Sequence, residues 1–262
     1  MKLSIIIPAY NEELRIPAML DAYLEHFTGL YPGNVEFIVV VNGSTDGTAA
    51  VVRDYEERHP EVSTMIEPAR IGKGGALMLG FHAATGELIG FSDADGATPP
   101  KAFEDLITNL DDADAIIASR WLPDSKVHPK QPWQRLLASR VFNKLVCWFF
   151  RLDLSDTQCG AKLFRRNAIQ DVLPHLGVTA WAFDVDLLFQ LRRAGYHTIE
   201  IPTTWNDIRG SKVDVVRTSS EMFVAICRLR LLYSPFRWLV SLYNILASYP
   251  TRLIRKIREL KA

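Results

Sequence analysis

The feature that most constrains this chain is a series of short apolar runs, each cut off by turn residues. Leu3-Ser4-Ile5-Ile6-Ile7 breaks at Pro8, Val35 to Val41 at Asn42-Gly43, Leu88-Ile89-Gly90-Phe91 at Ser92-Asp93, and Ala113 to Ser119 at Arg120. Runs this apolar read as strands buried on both faces. Helical patterns fall between them: one ending near His26, one through Val52, Tyr55 and Glu56, and one from Gly72 to Ala84. Ser63 to Ile66 adds a short third strand. Strands alternating with helices imply a doubly wound, mostly parallel α/β sheet flanked by helices.

A chain of 262 residues with 48% hydrophobic and 23% charged residues suits one large soluble domain. No run of about 18 uncharged apolar residues occurs, so a membrane-crossing helix is not expected. The first strand starts at residue 3, so no secretory leader is expected. Cys147, Cys159 and Cys227 are far apart and lack zinc-ligand spacing, which points to a reducing compartment. Net charge is zero but unevenly spread: from Ala225 onward eight Lys/Arg face Glu259 alone. A basic end of this kind suits an anionic surface.

The second half changes character. Residues 121–134 read as a polar loop with three prolines, long enough for a mobile flap. Gln134 to Phe150 reads as an amphipathic helix. Val141, Phe142, Leu145, Val146, Trp148 and Phe149 form its apolar side, with Arg140, Lys144 and Arg151 opposite, as in a helix lying in a membrane interface. Trp181 to Asp186 opens another helix, Thr198 to Trp205 is a strand, and a long helix runs to about Tyr233. From Phe236 the chain is apolar and then basic, again fitting an interface, with dimerisation or tail packing as the competing reading. The division expected is a catalytic domain over 1–233, including the interface helix at about 134–150, and a basic amphipathic segment over 234–262.

Several strand ends carry chemistry. Asp93 and Asp95, one residue apart after the fourth strand, share a face and sit where open α/β sheets bind ligands. Hard ions such as Mg²⁺ or Mn²⁺ take carboxylate oxygens and share them with substrate phosphates, so a metal–diphosphate site is expected; the bland alternative is an acidic turn with Asp95 capping the next helix. Gly72-Lys73-Gly74-Gly75 could offer backbone N–H groups and an ammonium to a phosphate, or be a flexible turn. Asn42 to Gly47 is a second strand-end turn on the same edge. Arg120 could grip a phosphate bidentately or form a surface ion pair. Asp156 and Asp184 are either acids near an acceptor or helix caps, and Cys159 reads as a buried thiol.

The ordered set Ile5-Ile6-Ile7-Pro8-Ala9-Tyr10-Asn11-Glu12, Val41 to Thr48, Gly72 to Ala76 and Asp93-Ala94-Asp95 resembles the inverting family 2 glycosyltransferases of the GT-A (Rossmann-like) fold. Ala118-Ser119-Arg120, Asp156 to Gly160, Trp181 to Asp186 and Trp205 to Lys212 look like the dolichyl-phosphate β-glucosyltransferase branch, with polyprenyl-phosphate mannosyltransferases as near relatives. The resemblance covers about residues 3–233. It implies that Pro8, Tyr10, Glu12 and Asn42 hold the nucleoside, that Lys73 and Asp93 line the donor pocket, and that Asp95, with Asp93, holds Mg²⁺ or Mn²⁺. Arg120, Arg135 and Lys212 would gather the donor diphosphate and the acceptor phosphate, and Asp156 would be an acid near the acceptor.

The implied reaction moves a hexose from a nucleotide sugar to a polyprenyl phosphate, inverting α to β, with the enzyme bound peripherally at the cytoplasmic face of a membrane. Nucleic acid is not an expected partner, and an oligomer stays open. Two departures bear on the donor. Val41-Asn42 stands where the family usually has two adjacent acids, so a bond from the Asn amide to a base stays open but the charge-dependent contacts do not carry over. Asn206-Asp207 stands where mannosyl relatives tend to have an Arg, which leans toward glucose and uridine. The rival readings are a family 2 transferase with a soluble acceptor, a nucleotidyltransferase, and a membrane-bound nucleotide-sugar binding module. A nucleotidyltransferase usually has a Gly-rich Arg-Lys loop near the first strand, which Pro8-Ala9-Tyr10-Asn11 is not.

Overall fold

The structure, a computed structural model, describes residues 2–129, 133–177, 182–206 and 215–238, with the side chains of 134–135 and 215–221 outside that description. The apolar runs form strands β1 (Leu3–Ala9), β2 (Val35–Asn42), β3 (Val62–Glu67), β4 (Leu88–Ser92) and β5 (Ala115–Ser119). Between them lie helices α1 (Ile16–Leu30), α2 (Thr48–Arg58), α3 (Gly72–Ala83) and α4 (Pro100–Thr108). The chain continues through β6 (Lys126–His128), α5 (Trp133–Phe150), β7 (Ala161–Arg165), α6 (Arg166–Val172), α7 (Phe183–Ala194), β8 (Thr198–Pro202), β9 (Thr204–Asn206) and α8 (Val215–Leu232).

Seven strands make one sheet in the order β3-β2-β1-β4-β7-β5-β8, parallel except for β7, which runs antiparallel to both β4 and β5. The runs are apolar throughout because both faces are covered. Ile5, Ile7, Phe37, Val39 and Val41 pack toward α1, α2 and α4, whereas Ile6, Ile38 and Val40 pack toward α3, α6 and α7. Each such side chain contributes about 1.5–3 kcal/mol through burial.

Four departures from the sequence expectations have physical causes. The Ala161–Arg165 strand carries Lys162 fully buried within it, and that charge hides an otherwise apolar run. The Pro99-Pro100 pair gives no helical signal of its own, yet Pro100 opens α4, where a missing N–H costs nothing. The expected 198–205 strand divides at Thr203, so its first part joins the main sheet. Its second part, β9, pairs with β6 inside the expected 121–134 loop, whose residues 126–128 are therefore strand.

The fourth concerns α5. Its core side is Val146 and Phe150, with Phe142 and Phe149 half-buried. Trp133, Leu137, Val141 and Trp148 are all at least half exposed. At about 3.6 residues per turn they share an arc of about 100° with the exposed Arg140 and Lys144. The expected split, with basic residues opposite all the apolar ones, is therefore corrected. The inner apolar residues meet the core, and the outer ones lie among the cations. α8 packs beside α5 and adds exposed Phe223 and Val224. No helix among the described residues is long and apolar enough to cross a membrane. Residues 239–262 of the expected basic segment lie outside the described residues.

Candidate active site

Strand order reverses between β1 and β4, and at such a switch point an open sheet leaves a crevice beyond its carboxyl ends. Here the crevice follows from the strands themselves. β1 stays paired with β2 to Ala9↔Val41, but its pairing with β4 stops at Ile6↔Phe91. Pro8, lacking an N–H, cannot extend the ladder toward β4. The loops after β1, β2, β4 and β5, and the segment entering antiparallel β7, all meet at this edge.

On the β1–β2 side polar groups are held by short turns. Asn42, 3% exposed, donates from Nδ2 to the Ala9 carbonyl at 3.1 Å, while its Oδ1 is buried with no partner. Tyr10 carries the Arg70 guanidinium 4.4 Å over its ring. Asn11, at φ +55°, accepts the Thr45 N–H at 2.8 Å and so ties the first two loops together. The Glu12 carboxylate meets Arg15 Nη2 at 2.6 Å, and its second oxygen is buried without a partner. Burial raises the Glu12 pKa; Arg15 opposes the shift, and Asp95 and Asp93 add to it.

Asp95 accepts the Ala97 N–H at 3.0 Å, a tight turn of its own. It does not cap the following helix, whose N-cap is Pro99. Burial, then the neighbouring Asp93 charge, raises the Asp95 pKa. Two carboxylates that repel each other beside solvent form a donor set suited to a hard cation. Among the described residues no cluster of three or more His, Cys, Asp or Glu could hold a metal ion, so an ion here would complete its shell with phosphate oxygens and water.

Asp93 is held by two devices. Lys73 Nζ lies 2.7 Å from its Oδ1, and Gly160 lets its Oδ2 approach so closely that a Cβ at Gly160 would coincide with it. Lys73 also lies 3.9 Å from Asp184, whose other oxygen accepts Lys162 Nζ at 2.6 Å. Burial opposes ionisation of Asp184, but Lys162 and Lys73 outweigh it and hold the carboxyl below its usual range. Asp184 is no helix cap: Ala182 holds that position in α7. Burial pushes the Cys159 thiol up to about 12, in keeping with an inert buried thiol.

Arg120 leaves β5 into a fork with Asp156. Its Nε and Nη2 donate to the two carboxylate oxygens at 2.7 and 2.9 Å, and its backbone N–H adds a third bond. The Gln158 N–H adds a fourth to Asp156. Burial opposes ionisation of Asp156, but Arg120 outweighs it and lowers the pKa; with both oxygens occupied, Asp156 orients Arg120 and is not a free acid waiting for an acceptor proton. The guanidinium lies 5.6 Å from the Trp121 ring and 5.2 Å from Trp205. The loop carrying Asp156 is pinned by Asn143 of α5, which accepts from Thr157 and donates to the Leu154 and Ser155 carbonyls. Beyond Trp121 a cleft of about 410 Å³ is lined by Arg140, Lys144, Asn143 and Glu200.

The structure thus brings Pro8, Tyr10, Glu12, Asn42, Lys73, Asp93, Asp95, Arg120 and Asp156 to one sheet edge. The Arg135 side chain and Lys212 lie outside the described residues, as does Trp181. Sequence reading did not single out Lys162, Arg70, Asn143 or the Trp121–Arg120–Trp205 sandwich. Only Asn143 carried a signal, as an amide inside an amphipathic helix.

A family model described as glycosyl transferase family 2 matches residues 4–173. A dolichyl-phosphate beta-glucosyltransferase of Dictyostelium discoideum is 33% identical over 255 residues, spanning 93% of this chain and 76% of the relative. Among solved structures, glucosyl-3-phosphoglycerate synthase from Mycobacterium tuberculosis, in complex with Mn²⁺, UDP and phosphoglyceric acid, superposes with a TM-score of 0.66. The identity is 18%, over 87% of this chain and 78% of that one. Mannosyltransferase PcManGT from Pyrobaculum calidifontis, in complex with GDP-Man and Mn²⁺, gives 0.62 at 21% identity over 99% and 80%. These neighbours share the switch-point sheet built above, and the family model runs from β1 through β7 and α6, the segment that supplies both carboxylates, Lys73 and the Arg120–Asp156 fork. The chain belongs to glycosyl transferase family 2 and has its GT-A fold.

Proposed function

We propose that the chain transfers glucose from UDP-glucose to the phosphate of a dolichyl or other polyprenyl lipid, inverting the anomeric centre, with Mg²⁺ or Mn²⁺ at Asp93 and Asp95. The observation that carries the reading is the convergence of two carboxylates, Lys73 and the clamped Arg120 on one crevice: a cation site beside two anion sites. The likeness to dolichyl-phosphate glucosyltransferases supports the acceptor and the sugar. The nucleoside is supported by Asn42. With its amide nitrogen spent on Ala9 it offers a single buried acceptor, which matches the one N3–H of uracil. Guanine presents two adjacent donors, which a carboxylate would fit better.

In the transfer, an oxygen of the lipid phosphate attacks the anomeric carbon from the face opposite the diphosphate. The new C–O–P bond forms as the bond to the UDP β-phosphate oxygen breaks, and UDP departs with its electron pair. A phosphate monoester is already anionic near neutral pH, so no strong base is required. Arg120 and Lys73 do the work of positioning and charge compensation, with Arg120 unable to swing because Asp156 and two tryptophans hold it. A divalent ion, when bound, neutralises charge developing on the leaving diphosphate.

The exposed arc of α5 and the neighbouring α8 would rest peripherally on a lipid surface: aromatic and aliphatic side chains among Arg140 and Lys144 suit the interface. Residues 239–262 would add a basic attachment. The test is transfer of labelled sugar to a short-chain polyprenyl phosphate, comparing UDP-glucose with GDP-mannose. Labelled lipid from UDP-glucose alone is expected. Nucleotide release without lipid labelling would transfer the assignment to a soluble acceptor, and labelling from GDP-mannose alone would overturn the donor.

A further inference from the structure

Lys162 has no place in the transfer described so far, and its position is costly. It is 0% exposed, and among the described residues no other lysine or arginine is classed as buried. β7 inserts it between Phe91 of β4 and Ile117 of β5. Its ammonium donates to the Cys159 carbonyl at 2.7 Å and to Asp184 Oδ1 at 2.6 Å, and lies 5.3 Å from the Phe91 ring centre. A buried ion pair is commonly no more stable than well-packed apolar residues of the same size, so stability alone does not explain it.

Its connections suggest a reason. Asp184 reaches Lys162 with one oxygen and Lys73, at 3.9 Å, with the other, and Lys73 in turn holds Asp93 at 2.7 Å. The two ammonium groups also flank one aromatic ring, since Lys73 lies 5.2 Å from Phe91. The result is an alternating row running from crevice to core: Asp93, Lys73, Asp184, Lys162. Lys73 stands between two carboxylates, and what it can offer an incoming anion depends on how much of its charge Asp184 already claims. A second ammonium on Asp184, that of Lys162, reduces that claim.

We infer that Lys162 is a positioning residue for donor binding: its buried ammonium holds and neutralises Asp184, leaving Lys73 free to exchange Asp93 for the donor diphosphate. The inference rests on the nucleotide-sugar reading above. Without Lys162, Asp184 would draw Lys73 into a closed pair and away from the crevice. With both Lys162 and Asp184 made neutral, Lys73 would be free again.

The experiment measures UDP affinity by calorimetry on the full chain with Mg²⁺, for wild type, Lys162→Met, Asp184→Asn and the double variant. Binding is the readout because it does not need turnover. Lys162→Met should weaken UDP by about tenfold or more, the scale of one contact to a charged group. The double variant should return to wild-type affinity, and Asp184→Asn should bind at least as tightly as wild type. In steady state, Lys162→Met should raise the KM for the sugar nucleotide and leave that for the lipid unchanged. A role in folding alone would not be reversed by removing a second charge. If Lys162→Met fails to fold, the double variant decides: wild-type affinity supports the inference, and weakened affinity overturns it. Equal weakening in single and double variants, or none in Lys162→Met, also overturns it while the transferase reading stands. Absence of UDP binding by the wild type would instead bring down both.

Discussion

The two sides of the crevice are built by different means. On the β1–β2–β4 side Asn42, Asp93 and Asp95 come off strand ends, and Tyr23 locks the β4 loop to α1 through Ser92 and the Thr98 carbonyl. On the other side the loop of the Arg120–Asp156 fork is held by Glu200 of β8 and by Asn143, which projects from a helix whose outer face is aromatic, aliphatic and basic. The first side is set by strand-end geometry and by contacts to the core, through Lys73 and Gly160 on Asp93. The second is tied to an element whose exposed face needs something to rest on, so whatever seats α5 also bears on the position of Arg120. Donor binding should therefore be insensitive to lipid, whereas transfer should not be.

The difference is broken most severely from the donor side. Asp95→Asn should fold normally yet lose metal-dependent transfer by at least about a hundredfold, since several kcal/mol of charge stabilisation are at stake; initial rates with Mn²⁺ and a thermal melt of the same sample check both halves. Removing the metal with a chelator should do the same to wild type and little further to the variant. Gly160→Ala comes next. Its methyl group would occupy the place of Asp93 Oδ2, so the carboxylate must leave Lys73. Transfer should drop by about 10–100-fold, as for displaced supporting groups at metal sites, while lipid binding holds.

Legibility in the sequence divides along the same line. The donor side is readable because a strand that ends abruptly in Asp93-Ala94-Asp95 declares both its fold and its edge. Lys162 was not, because its burial depends on Asp184, 22 residues away in the chain and brought to it only by β7 and α7. The same charge concealed β7. On α5 the apolar residues were recognisable but their division was not. A list of hydrophobic positions merges Val146 and Phe150, which meet the core, with Val141 and Trp148, which do not, and only packing against the sheet separates them. Asp156 reads in the sequence as an acid near an acceptor or a helix cap, since nothing local announces a partner 36 residues upstream.

Asn42→Asp should shift base preference. A carboxylate would offer two acceptors where the amide offers one, at the loss of the bond to Ala9. The ratio of UDP to GDP affinity, read by calorimetry, should fall by about tenfold, the worth of one charged hydrogen bond; an unchanged ratio would remove Asn42 from base recognition. A smaller effect should appear in acid. Asp156 and Asp184 both have folded pKa values below their unfolded ones, near 3.9. Their contribution to stability is therefore complete above about pH 5 and is lost as the pH falls toward and through the folded values. Denaturant midpoints should decline below about pH 4. In Asp156→Asn that decline should be shallower, from a lower starting stability.

The smallest effect on the folded chain, and the sharpest on the comparison, belongs to the outer face of α5. Leu137 and Trp148 are 55% and 74% exposed, so Leu137→Ser with Trp148→Ser removes little packing and should change stability by no more than about 0.5 kcal/mol. UDP affinity should not change, because Asn42, Lys73, Asp93 and Asp95 are carried by β2, α3 and the end of β4 and not by α5. On vesicles of mixed anionic and zwitterionic phospholipid, though, flotation of the variant should fall severalfold, and transfer to long-chain polyprenyl phosphate in those vesicles should fall with it. Transfer to a short-chain acceptor in detergent should be spared. If both acceptors suffer alike, the outer face supports Arg120 through Asn143 and has no separate lipid role. If neither suffers, the exposed arc has no part in acceptor delivery, and the two sides of the crevice are equally independent of the membrane.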